Sequence, residues 1–190
     1  CHNSSIVDKK NDVINLSYVI DSLIERKNFI KAVVITGGEP TIYGDELISL
    51  IETIKGLGFK VKLDTNGTNP SLLKKIFDKG IIDYIAMDIK NTFSKYQVTV
   101  GKVVDLEKIK ESIKLIENSN VLYEFRTTIN KENHTLEDIE EIASYISDKK
   151  RYFIQNYQYN KEQICKRDFG SFNEDELNEI KNKIGVSIKI

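Results

Sequence analysis

The chain has 190 residues, which is enough for one domain with a substantial hydrophobic core. Its 28 basic and 29 acidic residues give a formal net charge of -1, which argues against a general attraction to nucleic acid or to anionic membranes. No apolar run approaches the roughly 18 residues of a transmembrane helix, and two cysteines are too few for a disulfide scaffold. We therefore expect a cytoplasmic protein that binds neither nucleic acid nor membrane.

Short apolar runs alternate along the chain with stretches of helical periodicity. We predict helices at residues 15–28, 45–55, 70–78, 106–117 and 136–147, and a last one that follows a capping box beginning at Asn173. We predict strands at residues 32–35, 60–64, 84–89, 123–129 and 186–190, and one that starts at Tyr152. This helix–strand alternation predicts parallel strands joined by right-handed crossovers.

Two architectures fit this pattern, a partial barrel and an open doubly wound sheet. In either one we expect several strands to be apolar on both faces, as a sheet covered by helices requires. We treat residues 1–190 as a single domain. The chain begins at Cys1 and its first predicted element is a helix, so we expect the N-terminal segment, including a preceding strand, to be absent.

Polar groups suited to binding or catalysis follow the first two predicted strands, and the ends of parallel strands meet at one edge of a sheet. Gly37 and Gly38 free the backbone to approach a ligand, and Glu39 can accept hydrogen bonds from a cationic amine. Asp64-Thr65-Asn66 can hold ribose hydroxyls or a cation. The structural alternatives are a tight turn for the glycines and an Asx turn for the second segment.

The next two strands end in charged residues. Asp88 and Lys90 lie two positions apart, so both point to the same side and predict a charge pair facing the edge. The fork of donors on Arg126 suits a carboxylate, although the residue equally fits a buried pair with Glu124. A salt bridge of purely structural value is the alternative for Asp88 and Lys90.

We expect His134 at the surface.

Four segments taken together resemble one protein family: Cys1-His2-Asn3, Thr-Gly-Gly-Glu-Pro at 36–40, Leu-Asp-Thr-Asn-Gly at 63–67 and Met-Asp-Ile-Lys at 87–90. They resemble the radical S-adenosylmethionine superfamily, and within it the branch that activates glycyl radical enzymes. The resemblance is strongest to activating proteins of anaerobic ribonucleotide reductase, and extends to those of pyruvate formate-lyase. It implies an α/β fold, a partial (βα)6 TIM-like barrel whose first strand and cluster loop are missing.

The resemblance also implies cofactors, namely a [4Fe–4S] cluster, S-adenosylmethionine and a monovalent cation. Cys1 matches the last cysteine of the family's C-x3-C-x2-C cluster motif, so it is the one metal ligand predicted in this chain. The other two cysteines would precede it, and because one thiolate cannot hold such a cluster, we expect the chain as it stands to be inactive.

The matching motifs give roles to particular residues. The methionine amino group would be held by Gly37, Gly38 and Glu39. The cation would be held by Asp64, Thr65, Asp88 and the Ala86 carbonyl. The ribose would lie near Asn66, and the methionine carboxylate near Lys90 and Arg126.

The activity that the resemblance implies is reductive cleavage of S-adenosylmethionine to a 5′-deoxyadenosyl radical, which makes a glycyl radical on a partner enzyme. The partner would be anaerobic ribonucleotide reductase, and the electron donor a flavodoxin or ferredoxin. Two alternatives stay open. One is a radical enzyme with a small-molecule substrate, such as a deazaguanine-forming synthase. The other is a truncated, inert barrel that only binds a partner.

Overall fold

The structure, a computed structural model, describes residues 13–189. Six parallel strands form one sheet whose spatial order is the same as their order in the chain. The strands are β1 (Ala32–Ile35), β2 (Lys60–Thr65), β3 (Tyr84–Asp88), β4 (Leu122–Ile129), β5 (Tyr152–Asn156) and β6 (Ser187–Lys189).

Helices occupy every crossover between these strands. They are α1 (Leu16–Glu25), α2 (Asp45–Gly56), α3 (Pro70–Lys79), α4 (Tyr96–Val100), α5 (Leu106–Glu117), α6 (Leu136–Ser144) and α7 (Glu174–Ile184). Two short 3₁₀ turns, Pro40–Tyr43 and Lys149–Arg151, complete the described elements.

The sequential strand order decides between the two architectures. A doubly wound sheet needs a point where the strand order reverses, and no reversal occurs among these six strands. Right-handed crossovers between successive strands then place the helices on one side of the sheet. The sheet does not close, because β1 and β6 form its two edges in the described part of the chain. The partial-barrel prediction is confirmed.

The two faces of the sheet differ along β2 and β4, whereas β1 is apolar at all four of its positions, so the expectation that several strands are apolar on both faces holds for β1 and not for β2. On β2, Val61 and Leu63 are buried under the helices at 1% and 0% exposure. Lys62 and Asp64 alternate with them and point to the opposite side, which we call the inner face. Glu124 and Arg126 of β4 lie on this inner face as well, so it is charged while the outer face carries the hydrophobic core.

The predicted elements are all present, and several of them have different ends. The sixth helix stops at Ser144 rather than at residue 147, and the first stops at Glu25. The capping box at Asn173 is confirmed, since Asn173 accepts from the Glu176 backbone and Glu176 accepts in return. Helix α4 was not predicted. Its five residues are too few to show a helical period, and it ends at Gly101 in the left-handed conformation.

No helix among residues 13–189 is both long enough and apolar enough to cross a membrane. Cys165 is an exposed free thiol. Cys1, the predicted cluster ligand, lies outside the described residues.

Candidate functional site

Arg126 occupies the centre of the inner face, where its guanidinium meets three carboxylates. Its Nε donates to Asp88 Oδ1 at 2.9 Å, and both terminal nitrogens donate to Asp64 Oδ2 at 3.3 Å. The third carboxylate, Glu124, has Oε1 3.7 Å from the nearer terminal nitrogen. The Arg126 side chain is 15% exposed, so these contacts are partly shielded from water.

The register of the strands explains how the Arg126 side chain on β4 reaches Asp64 on β2. Asp88 lies beside Arg126 on the neighbouring strand, and Asp64 lies beside Ala86. Ala86 therefore stands between Arg126 and Asp64 on the inner face. Its single methyl group leaves room for the guanidinium to cross β3, and a larger side chain there would close that path.

Two lysines balance the remaining negative charge. Lys90 Nζ donates to Asp88 Oδ2 at 2.9 Å, and Lys62 Nζ donates to Glu124 Oε1 at 3.1 Å. Lys62 Nζ also lies 3.6 Å from Asp64 Oδ1. We call these six residues the Arg126 cluster: Lys62, Asp64, Asp88, Lys90, Glu124 and Arg126. Three bases and three acids make it formally neutral.

The cluster shifts the protonation of its own members. Burial disfavours the charged form of Asp88, but Lys90 and Arg126 outweigh it and hold the pKa of that carboxyl below its ordinary value. Burial likewise works against the charge on Arg126, yet Asp88 and Asp64 raise its pKa further. Both groups are therefore charged at neutral pH, and the site presents fixed charges to a ligand.

Asp64 keeps one acceptor open. Its Oδ1 atom is buried and has no hydrogen-bond partner in the described residues, although Lys62 is near. A buried carboxylate oxygen left without a hydrogen bond costs free energy, so it favours binding of a donor or a cation at this point.

Glu39 joins the loop after β1 to the loop after β2. Its Oε1 accepts from the Thr41 backbone at 3.1 Å, from the Thr41 hydroxyl at 2.6 Å and from the Thr65 hydroxyl at 2.9 Å. Its Oε2 accepts from the Asn66 backbone at 2.6 Å. This carboxylate is thus a structural link, and only Oε2 keeps a lone pair for a further donor.

The remaining predicted residues of these two loops differ in their surroundings. Asn66 forms the Asx turn given as its structural alternative, since its Oδ1 accepts from the Thr68 backbone at 3.0 Å. Gly37 has φ +139°, and a Cβ at Gly37 or Gly38 would meet nothing within 4 Å. Both glycines therefore border open space, where a ligand can approach the backbone.

The structure brings most of the predicted residues together and adds two charges that the sequence analysis did not assign to the site. Asp64, Asp88, Lys90 and Arg126 come together as one cluster, and Glu39, Thr65 and Asn66 as a second hydrogen-bonded group. Lys62 was not predicted, and Glu124 was considered only as a partner for Arg126. Lys62 lies two residues before Asp64, and Glu124 lies two residues before Arg126. Side chains two positions apart on a strand point to the same face, and this spacing identifies both residues.

The expectation that His134 lies at the surface is wrong. Its side chain is buried, with 3% of the residue exposed, and its Nε2 lies 3.0 Å from the Lys90 carbonyl oxygen. Its contact partner Lys90 follows β3 and is 44 residues away in the chain, and no local pattern in the sequence predicts this contact.

No group of three or more metal-ligating side chains occurs within residues 13–189. Between Asp64 and Asp88, the two carboxylates assigned to the cation, the structure places the guanidinium of Arg126.

An open parallel sheet with helices on one side and a polar inner face defines a partial-barrel enzyme scaffold of the α/β class. The chain belongs to the radical SAM superfamily, whose family model matches residues 1–149. The cofactors of this family are a [4Fe–4S] cluster and S-adenosylmethionine. The open space at Gly37 and the Asp64 Oδ1 atom that lacks a hydrogen bond fit the nucleoside cofactor, whereas the cluster's predicted ligand is outside the described residues.

Comparison with individual proteins identifies relatives of this chain. The chain is 40% identical over 134 residues to a protein of Methanocaldococcus jannaschii named "Putative glycyl-radical enzyme activating enzyme MJ1227". The match covers 68% of this chain and 56% of the relative, so the chain spans just over half the length of that protein. It is also 38% identical over 66 residues to 7-carboxy-7-deazaguanine synthase of Thermococcus kodakarensis, covering 35% of this chain and 25% of the synthase.

A solved structure agrees on the fold. A domain of pyruvate-formate lyase-activating enzyme from Bacteroides vulgatus superposes with a TM-score of 0.66 at 16% identity. The match covers 85% of this chain and 99% of that domain. At this identity the likeness establishes the fold alone.

Proposed function

We propose that the protein is a radical SAM activase, which generates a glycyl radical on a partner enzyme. The observation that carries cofactor binding is the buried Asp64 Oδ1, which accepts no hydrogen bond in the described residues and lies beside Arg126 on the inner face. The partner class is supported by the 40% identity to the glycyl-radical enzyme activating enzyme, which extends over two thirds of the chain. Within that class we propose anaerobic ribonucleotide reductase as the substrate protein.

The residues of the site take distinct roles in this proposal. Gly37 and Gly38 let the backbone approach the methionine amino group, and Glu39 holds their loop against Asn66. Asp64 accepts from the ligand or holds a monovalent cation through its open oxygen. Lys90 and Arg126 face the methionine carboxylate with fixed positive charge, and Thr65 and Asp88 hold Glu39 and Arg126 in place.

A bound and reduced cluster would supply the one-electron chemistry that cleaves S-adenosylmethionine, for the removal of a hydrogen atom from a glycine of the partner enzyme. The chain's own contribution is to bind, orient and shield the reactants. Cys1 is the cluster ligand we propose within this chain, and a flavodoxin or ferredoxin in the cytoplasm is the proposed electron donor.

A binding experiment tests the site in the complete protein with its cluster reconstituted. Asp64→Asn removes the charge from the open acceptor, so we expect S-adenosylmethionine to bind about tenfold more weakly by calorimetry, since a hydrogen bond to a charged group contributes about 1.5–3 kcal/mol. The matched control is Asp83→Asn. Asp83 accepts from the Val61 backbone and from Lys55 at the opposite end of the sheet, and its loss should leave the affinity unchanged.

Equal affinity in wild type and Asp64→Asn would remove Asp64 from the site. Equal weakening by the Asp83 control would point to a general loss of structure instead.

A second experiment distinguishes the activase from an enzyme that acts on a small molecule. The partial match to the deazaguanine synthase favours this second function. The reconstituted protein is incubated anaerobically with S-adenosylmethionine, a reductant and anaerobic ribonucleotide reductase. An activase produces a glycyl radical signal by electron paramagnetic resonance on the partner. Formation of 7-carboxy-7-deazaguanine with no radical on any candidate partner would favour the synthase. Cofactor binding without either reaction would favour an inert barrel.

A further inference from the structure

His134 is a buried imidazole in the loop between β4 and α6, and it contacts two backbone groups. Its Nε2 lies 3.0 Å from the carbonyl oxygen of Lys90, and its Nδ1 lies 3.3 Å from the backbone nitrogen of Asn130. Because a carbonyl oxygen only accepts, Nε2 must donate. Because a backbone N–H only donates, Nδ1 must accept. These two contacts fix the neutral imidazole with its proton on Nε2.

The environment of the ring agrees with a neutral form. Burial lowers the pKa of His134 below its ordinary value, against the opposing influence of its contacts with Lys90 and Asn130. Asp138 also favours the charged form and Lys95 opposes it, so these two nearby charges act in opposite directions.

Lys90 needs such a contact because it lies beyond the end of β3. The last backbone bond to the neighbouring strand is Ile89 N–H to the Arg126 carbonyl at 2.8 Å. The Ile89 carbonyl then accepts from the Thr127 hydroxyl at 2.8 Å. From Lys90 onward the sheet no longer holds the backbone, yet the Lys90 ammonium must stay at Asp88 in the Arg126 cluster.

The next residue is tied to the same loop as His134. Asn91, fully buried, donates from Nδ2 to the Asn133 carbonyl and to the Thr99 hydroxyl, both at 2.8 Å. Its Oδ1 accepts from the Thr92 backbone at 2.7 Å. The β4–α6 loop therefore fixes the chain on both sides of the Lys90–Asn91 peptide bond.

We propose that His134 is a positioning residue for cofactor binding. Its Nε2–H donates to the Lys90 carbonyl, and this contact holds the Lys90 ammonium against Asp88 in the Arg126 cluster. The inference rests on the proposed function, because it concerns the same site. It adds a residue outside the four motifs that carry the family resemblance, and that residue contacts the backbone of Lys90.

Two substitutions separate the contacts of the ring. His134→Gln carries an amide N–H near the position of Nε2, so it keeps the bond to Lys90. His134→Asn carries an oxygen near the position of Nδ1, so it keeps the bond to Asn130 and loses the bond to Lys90. Both variants place a polar amide in the same buried site, so each serves as the control for the other.

The first measurement needs no cofactor. Hydrogen exchange of the complete protein without S-adenosylmethionine reports the backbone amides of residues 90–92. We expect faster exchange there in His134→Asn than in wild type, and exchange close to wild type in His134→Gln. Equal exchange in the two variants would overturn the claim that His134 holds Lys90.

The second measurement is calorimetry of S-adenosylmethionine binding to the reconstituted protein. We expect about tenfold weaker binding in His134→Asn and a change of less than about threefold in His134→Gln, because only the former frees Lys90. Wild-type affinity in His134→Asn despite faster exchange would show that the contact does not position the site. Failure of the wild type to bind would instead refute the proposed function, and the exchange data would still decide whether His134 fixes the Lys90 backbone.

Discussion

Gly67 shows how closely the loop after β2 packs behind the site. Its φ is +76°, and a Cβ built there would lie 2.1 Å from Met87 Cε and 2.8 Å from Met87 Sδ. Met87 is fully buried, and the Gly67 carbonyl accepts from the buried Ser112 hydroxyl at 2.7 Å. Met87 and Ser112 are both buried, so a side chain at this position must displace Met87 within the core.

We predict that Gly67→Ala destabilises the protein more than Gly101→Ala does. Both glycines have positive φ, which costs an alanine about 1–2 kcal/mol, but a Cβ at Gly101 meets nothing within 4 Å. The clash with Met87 adds about 1–3 kcal/mol at Gly67 alone. Urea denaturation of both variants measures the difference, and equal free energies of unfolding would show that Met87 moves aside freely.

At the scale of single residues, the sequence predicts a side chain's role best when the backbone fixes its direction. The two-residue spacing of Asp88 and Lys90 places both on one side, and the structure pairs them at 2.9 Å. The same reasoning identifies Lys62 once Asp64 is known. His134 follows no such rule, because its burial depends on the distant Lys90 carbonyl.

Among the elements, the start of α6 combines a cap with a link to α4. The Asp138 carboxylate accepts from the Thr135 backbone at 2.8 Å and from Lys95 Nζ at 2.7 Å, while the Thr135 hydroxyl accepts from the Asp138 backbone. The Asp138 side chain is 9% exposed. Burial opposes its charge, but Lys95 and the Thr135 N–H outweigh it and lower the pKa of Asp138. Folding therefore favours the charged form.

We predict a pH-dependent loss of stability in Asp138→Asn. Because the folded pKa lies below the unfolded one, the charge stabilises the fold above about pH 4, and this contribution disappears as the pH falls through the folded pKa. At pH 7 we expect the variant to lose about 1 kcal/mol, since Lys95 is half exposed. The difference from wild type should shrink in denaturation experiments below pH 4.

The control for this effect is Glu111→Gln, which removes an exposed carboxylate from α5. We expect its stability to follow wild type across the same pH range. A constant difference between Asp138→Asn and wild type from pH 7 to pH 3 would contradict the role assigned to the Asp138 charge.

Whole elements were predictable where a period or a cap marks them, and α4 was not because five residues carry neither. The partial barrel itself required knowledge of strand order, which the helix–strand alternation leaves open. The alternation of Lys60-Val61-Lys62-Leu63-Asp64 already shows a strand with one polar face. The expectation of strands apolar on both faces holds for β1, whose four residues are all apolar, and not for β2.

For the whole molecule, the separation of the two sheet faces predicts very different tolerance to substitution. Leu63→Ala on the outer face removes a fully buried side chain and should cost about 2–5 kcal/mol. Thr128→Ala on the inner face, where the hydroxyl makes one long 3.4 Å contact to Gln155, should cost less than about 1 kcal/mol. Urea denaturation at neutral pH compares them, and similar losses would mean that the inner face also carries the core.

Alternating side chains give each strand two separate tasks. The residues of β2 that point outward hold the helices, and those between them, Lys62 and Asp64, meet other charges on the inner face. Ligand preference can therefore diverge through replacements on that side while the scaffold persists, so that acquiring a new reactant does not demand a new architecture.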